Sequence, residues 1–242
     1  VVAIDVSGDM EGSDAATTLV NSQVINNTAT ISGGGIYTVA GSNVTATLTI
    51  SNSLVSLNWA GEAAGGIRST VFSGSQNYGN VVQVLSSEVS GNLTANSAGF
   101  VGGGGIVNNY AQLLIADSVV TGNRAETGSA YGGGLINTFG DATILRSAIT
   151  GNVAASSSGP FPAGGGGVVN SDGTMVIANS TLSGNVANGG ANGGALLLVN
   201  FFGSAPSNVT LVNSTLSGNQ ADTTGGAAAA MDFAGGQPVS GT

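Results

Sequence analysis

The chain has 242 residues, 42 of them glycine, and contains no cysteine, histidine or lysine. Three arginines stand against twelve Asp and Glu residues, a net charge of −9. These counts exclude imidazole and thiol catalysis, zinc sites and disulfides, and they leave no basic stripe for nucleic acid or an anionic membrane.

The hydrophobic fraction of 41% is enough for a core. No run of about 18 apolar residues occurs, so no transmembrane segment is expected. The chain starts at Val1 without Met or an apolar targeting segment, which reads as a processed chain or a fragment. Residues 1–20 read as an N-terminal strand or partial turn with an acidic edge of Asp5, Asp9, Glu11 and Asp14. Oxygen-rich clusters can hold calcium. The spacing here matches no calcium loop, and a solvated edge is the simpler expectation.

Residues 21–242 repeat one segment, the last copy incomplete. Copies start at Asn21, Asn52, Ser86, Asp117, Arg146, Asn179 and Asn213, at intervals of 29 to 34 residues with a mean of 32. The clearest read NSTLSGNVA (179–187), NSTLSGNQA (213–221), RSAITGNVA (146–154) and DSVVTGNRA (117–125). The second position is always serine: Ser22, Ser53, Ser87, Ser118, Ser147, Ser180 and Ser214. The fourth is aliphatic: Val24, Val55, Val89, Val120, Ile149, Leu182 and Leu216. The seventh is asparagine: Asn27, Asn58, Asn92, Asn123, Asn152, Asn185 and Asn219. A glycine block follows at 33–36, 64–67, 103–106, 132–135, 165–168, 193–196 and 225–228.

The local pattern is strand. Stretches such as 174–183 are β-branched or apolar with inward residues two apart, and helix formers are nearly missing. An all-β solenoid follows, with two or three short strands per coil and identical columns stacked about 4.8 Å apart. Seven coils predict a rod on the order of 34 Å long. The asparagine column is expected to take the left-handed conformation at a corner and to form an amide ladder up the rod. The serine column is expected to satisfy backbone groups at the bend. The glycine pairs are expected to mark a second corner, where backbones pass closely.

The alternation of S-[TAV]-[ILV]-[ST]-G-N-x-A with GG[GA][ILV] resembles the repeats of right-handed parallel β-helix (pectin-lyase-like) surface proteins. It is most similar to the polymorphic outer-membrane protein repeats of bacteria and covers about 21–228. The resemblance implies a right-handed parallel β-helix of about seven turns, secreted or displayed on a cell surface, with adhesive or structural roles. Those repeats carry a phenylalanine before the glycine block, where this chain has the aliphatic fourth column.

Lyase chemistry, which the resemblance also brings to mind, implies a Lys or Arg base and an Asp cluster holding calcium. Lysine is missing, and Arg68, Arg124 and Arg146 fall in different columns. Arg146 stands above Asp117 of the preceding coil, an arrangement that reads as an inter-turn ion pair. Glycoside hydrolysis needs two carboxylates roughly 5–10 Å apart. Asp141 and Asp172, on adjacent coils and two positions out of register, come nearest, in a turn where Asp is an ordinary former. Glu126 and Asp222 share a column but are three coils apart.

A hydroxyl column of Ser56, Ser90, Thr121, Thr150, Ser183 and Ser217 raises ice binding, but a regular Thr-x-Thr array is missing. Trp59, Tyr37, Tyr78, Tyr110, Tyr131, Phe161, Phe201 and Phe202 fall mostly in irregular parts, placed to stack on sugars, on a neighbouring subunit or on the rod itself. Six N-x-S/T sequons occur, at Asn26, Asn43, Asn92, Asn179, Asn208 and Asn213. No helix-like cap is evident at either end, and open end strands pair readily with further copies.

These readings predict a non-enzymatic, secreted or cell-surface rod that needs no cofactor. It acts as a head-to-tail filament subunit or as an adhesin or stalk segment, with further copies, surface proteins or glycans as partners. The alternative is a carbohydrate-binding or carbohydrate-active β-helix protein working through the Asp141/Asp172 region or the aromatic loops. Ice binding is a lesser alternative.

Overall fold

The computed structural model describes residues 4–7, 14–41, 44–71, 79–96, 102–128, 130–156, 164–200, 206–232 and 240–241. They form an all-β parallel solenoid of about six turns with about 31 residues each, close to the seven repeats counted in sequence. Each coil visits four sheets in turn. The first sheet has eight strands, from Ile4–Ser7 through Ile36–Ala40, Ile67–Val71, Ile106–Asn109, Leu135–Thr138, Val168–Ser171 and Leu196–Asn200 to Ala228–Asp232. The second also has eight, from Ala15–Val20 to Ser240–Gly241. The third runs over seven strands from Gln23–Ile25 to Thr215–Ser217, and the fourth over seven from Thr28–Ala29 to Gln220–Ala221. Neighbours pair in parallel and in the register of the repeat, so Val55, Val89 and Val120 are successive partners.

The coil therefore has four strands where the sequence suggests two or three. Left-handed residues cut the long apolar runs. The repeat-start column takes φ between 46° and 52° in every copy, whether it holds Asn, Ser, Asp or Arg. The residue before each invariant asparagine is left-handed as well: Asn26, Leu57, and then glycine at 91, 122, 151, 184 and 218. The run 174–188 is thus divided into Thr174–Ala178, Thr181–Ser183 and Val186–Asn188. The invariant asparagines themselves are not left-handed, contrary to the sequence expectation. The preceding residue carries the bend, and glycine does so at the least steric cost.

Inward positions two apart build the core. Ile50, Val84, Ile115, Ile144 and Ile177 of the second sheet are fully or almost fully buried, as are Ile36, Ile67, Ile106, Leu135 and Val168 of the first. Each such burial stabilises by roughly 1.5–3 kcal/mol relative to exposure. The first sheet is also covered on its outer face. Val107, Ile136, Val169, Leu197 and Val199 form a second apolar cluster there with Tyr131, consistent with the tendency of parallel sheets to bury both faces.

The glycine blocks form the corner between the fourth and first sheets. A Cβ on Gly134 would stand 2.7 Å from the Gly167 carbonyl oxygen and 3.0 Å from Asn152 Cγ. Space is the constraint there. At Gly151, φ is 62° and a Cβ would meet nothing within 4 Å, so only conformation is at stake. Gly134→Ala is therefore expected to cost about 2–3 kcal/mol through overpacking. Gly151→Ala should cost about 1 kcal/mol through its left-handed backbone, and Gly151→Asn less still, since Asn26 already fills that column. Chemical denaturation of the three variants would show this order, and equal losses would contradict it.

Candidate functional site

The left-handed residue at the third-to-fourth corner turns each asparagine side chain inward. From Asn58 to Asn185 each residue of the column is at most 1% exposed. Asn123 Oδ1 accepts the backbone N–H of Asn92 at 3.0 Å and its Nδ2 at 2.8 Å. Asn123 Nδ2 in turn donates to the Val89 carbonyl at 2.9 Å and to Asn152 Oδ1 at 3.0 Å. The same bonds repeat along the column from Asn27 to Asn219. A second ladder follows the repeat-start corner. Ser118 Oγ donates to the Ala116 carbonyl at 2.7 Å and accepts the Ser87 N–H at 3.0 Å, a pattern running from Ser22 to Ser214.

A third, shorter ladder is one the sequence reading missed. Asn108 Nδ2 donates to Asn137 Oδ1, and Asn137 Nδ2 to Asn170 Oδ1, each at 2.7 Å. Each amide also closes the tight turn after its strand by donating to the carbonyl of Ala111, Gly140 or Gly173. Its signal is an Asn two residues after the glycine-block aliphatic in three successive copies. Ser69 and Leu198 occupy the column on either side and end the ladder. Ser69 Oγ and Asn108 Oδ1 are buried with no partner among the described residues.

Asp141 and Asp172 differ in setting. Asp141 is exposed on the second sheet and pairs in register with Thr174. Asp172 is 1% exposed, accepts a hydrogen bond from Ser171 Oγ at 2.8 Å, and its N–H donates to Ser207 Oγ. The open groove bordered by Asp141, Gln83, Gln112 and Thr143 does not include Asp172. At the acidic edge, Asp14 accepts the Thr45 N–H at 2.7 Å, and Asp5 lies in the strand Ile4–Ser7. Asp9 and Glu11 lie outside the described residues. No group of three candidate metal ligands occurs among the described residues. Asp222 accepts the Gly189 N–H at 2.7 Å.

The arginines are spread over three surfaces. Arg146 holds Asp117 in a fork, with Nε and Nη2 each 2.7 Å from a carboxylate oxygen. The pair is exposed. Its hydrogen bond from Arg146, more than the charge itself, draws the Asp117 carboxyl below its ordinary range. Arg124 pairs with Glu126 of its own strand. Arg68 lies over the Tyr37 ring, 5.9 Å from its centroid, and donates to Ser32.

Of the aromatic residues, Tyr131 is buried against the rod, one of the readings left open by the sequence, and burial pushes its hydroxyl pKa up. Tyr110 and Phe139 stack at 4.5 Å on consecutive tight turns. Desolvation, and then the nearby Asp172, raise the Tyr110 pKa. Tyr78, Phe161, Phe201 and Phe202 lie outside the described residues. The hydroxyl column lines the outer face of the third sheet, with Oγ-type contacts of 3.1 Å between Thr150 and Thr121 and 3.2 Å between Ser90 and Ser56. Among the sequons, Asn92 is sealed in the long ladder, whereas Asn179 and Asn213 are exposed at left-handed corners.

No known family matches the chain, and no curated protein or solved structure matches it. The fold stands as a parallel β-solenoid, with no family assignment from sequence.

Two predictions follow from the ladders and the ion pair. Asn123→Ala should leave the Asn92 N–H and the Val89 carbonyl without their side-chain partner and cost about 2–6 kcal/mol, since each buried orphan costs roughly 1–3 kcal/mol. Asn27→Ala, at a ladder end, should cost about 1 kcal/mol. Denaturation curves that make the two alike would refute a cooperative ladder. For the ion pair, the depressed Asp117 value means that its contribution is complete above the ordinary carboxylate range. It is lost as pH falls through the folded value. An NMR titration should place the Asp117 carboxyl below free aspartate, and Arg146→Ala should return it to the ordinary range.

Proposed function

We propose that the chain is a non-enzymatic structural rod, secreted or displayed at a cell surface, serving as a stalk, adhesive or filament segment. The observation carrying this reading is the use made of its polar side chains. The side chains of all seven asparagines, and of six of the seven serines (Ser53 to Ser214), are committed to bonds between coils. No helix of the described residues is long and apolar enough to cross a membrane.

Composition supports an exposed setting. Three arginines and no lysine leave few sites for trypsin-like proteases, and the repeat pattern resembles that of β-helix surface proteins. Segments at the first-to-second and fourth-to-first corners vary in length between coils, which suits display, because loops on a rigid scaffold carry recognition. Stiffness would come from the ladders, recognition from the corners.

The test is turnover. The purified chain is expected to release no reducing ends from neutral or acidic polysaccharides at any pH between 4 and 9 (roughly the range over which carboxylate chemistry operates). Release that disappears in Asp141→Ala or Asp172→Ala would overturn the structural reading in favour of a carbohydrate-active enzyme.

A further inference from the structure

The sequons are the motif that the rod reading leaves unused, and the coil sorts them. Three of them straddle a ladder residue. In Asn179-Ser180-Thr181 the middle serine is buried and donates through Oγ to the Ala178 carbonyl at 2.8 Å. In Asn213-Ser214-Thr215 the Ser214 Oγ donates to the Val212 carbonyl at 2.9 Å. In Asn26-Asn27-Thr28 the middle asparagine is buried, and its Nδ2 donates to Asn58 Oδ1 at 2.9 Å. With the middle residue turned inward, its two neighbours face out. Asn26, Asn179 and Asn213 are exposed, with φ of 57°, 51° and 46°. Thr28, Thr181 and Thr215, the hydroxyl residues of the same sequons, are exposed beside them. Exposure of the repeat-start column does not depend on place along the rod, since Asn52, Ser86, Asp117 and Arg146 of the inner coils share it.

Asn92 is the opposite case. It is fully buried, and its Nδ2 donates to the Val55 carbonyl at 3.0 Å and to Asn123 Oδ1 at 2.8 Å. Its sequon hydroxyl is used as well: Thr94 Oγ1 accepts the Gly65 N–H at 2.9 Å and donates to the Gly103 carbonyl at 3.0 Å. Asn208 is half-buried and donates to the Pro206 carbonyl at 3.5 Å. Asn43 lies outside the described residues.

An N-linked glycan is bulky and needs an acceptor amide that a transferase can reach, with a hydroxyl residue two positions on. We propose that Asn26, Asn179 and Asn213 are acceptors for N-linked glycan and that Asn92 is not. This inference rests on the reading of an exported rod. In the transfer, Nδ2 bonds the anomeric carbon of a lipid-pyrophosphate-linked oligosaccharide. The bond from that carbon to the pyrophosphate oxygen breaks, and one amide proton passes to a base of the transferase. A glycosylated amide therefore keeps a single hydrogen. The Asn26, Asn179 and Asn213 amides hold no hydrogen bond among the described residues, so the fold loses nothing there. At Asn92 the same loss breaks the ladder, and a chain modified there cannot close its coil. Glycan then lines the two ladder corners and leaves the variable segments at the other two uncovered.

The test is to secrete the full chain from cultured eukaryotic cells and map its peptides after peptide-N-glycosidase, which turns each glycosylated asparagine into aspartate. The expected result is conversion, partial or complete, at Asn26, Asn179 and Asn213, and none at Asn92. Any of the three left wholly unconverted, or conversion at Asn92, would overturn the proposal. The Thr181→Ala/Thr215→Ala double variant keeps both corner asparagines and removes only exposed hydroxyls, so its denaturation midpoint should not change. It should lose all conversion at Asn179 and Asn213. Conversion that persists would be deamidation and would overturn the assignment. None of these results touches the rod reading, which falls only to polysaccharide turnover.

Discussion

The structure depends on one constraint: a chain that bends four times per coil must satisfy the polar groups at every bend without water. Strands satisfy their own backbone groups through the neighbouring coil. Corners cannot all do so. At the third-to-fourth corner the asparagine amide supplies the missing partners, taking the N–H of the coil before and reaching the carbonyl of a core residue. Serine does the same work at the repeat start with a shorter reach. Because each amide also bonds the next amide, the corner is satisfied only as a column, which ties local geometry to long-range order.

The glycine block follows from that column. Gly35, Gly66, Gly105, Gly134 and Gly167 each lie where a Cβ would press on an asparagine amide and on a carbonyl of the next coil. The asparagine and glycine motifs, separate in sequence, are two sides of one contact. Their spacing varies because the segment between them lies outside the contact. The same logic explains why the two long ladders keep to the second-to-third and third-to-fourth corners, while the long loops lie at the other two.

Much of this was legible in the sequence. The period, the aliphatic columns and the asparagine and serine columns recur in every copy, and repetition makes them visible without any relative to compare. What was not legible recurs less often or not by residue type. The left-handed repeat start is Asn or Asp in five of seven copies, but Ser86 and Arg146 blur that signal, and the four-strand coil was read as fewer strands. The short ladder spans only Asn108, Asn137 and Asn170. The covered outer face of the first sheet buries Tyr131, which its position beside a glycine block left open between the rod and a partner.

The repeat-start corner has a consequence of its own. Its conformational strain is set by the backbone and is least for Asn and Asp, while the side chain projects into solvent. Chemistry at that position is therefore nearly uncoupled from folding. The solenoid keeps a line of interchangeable pegs, one per coil, at a pitch fixed by hydrogen bonding. Asp117 and Arg146 are two pegs that happen to clasp. A lineage could rewrite the line letter by letter, changing what the protein touches while leaving its architecture alone.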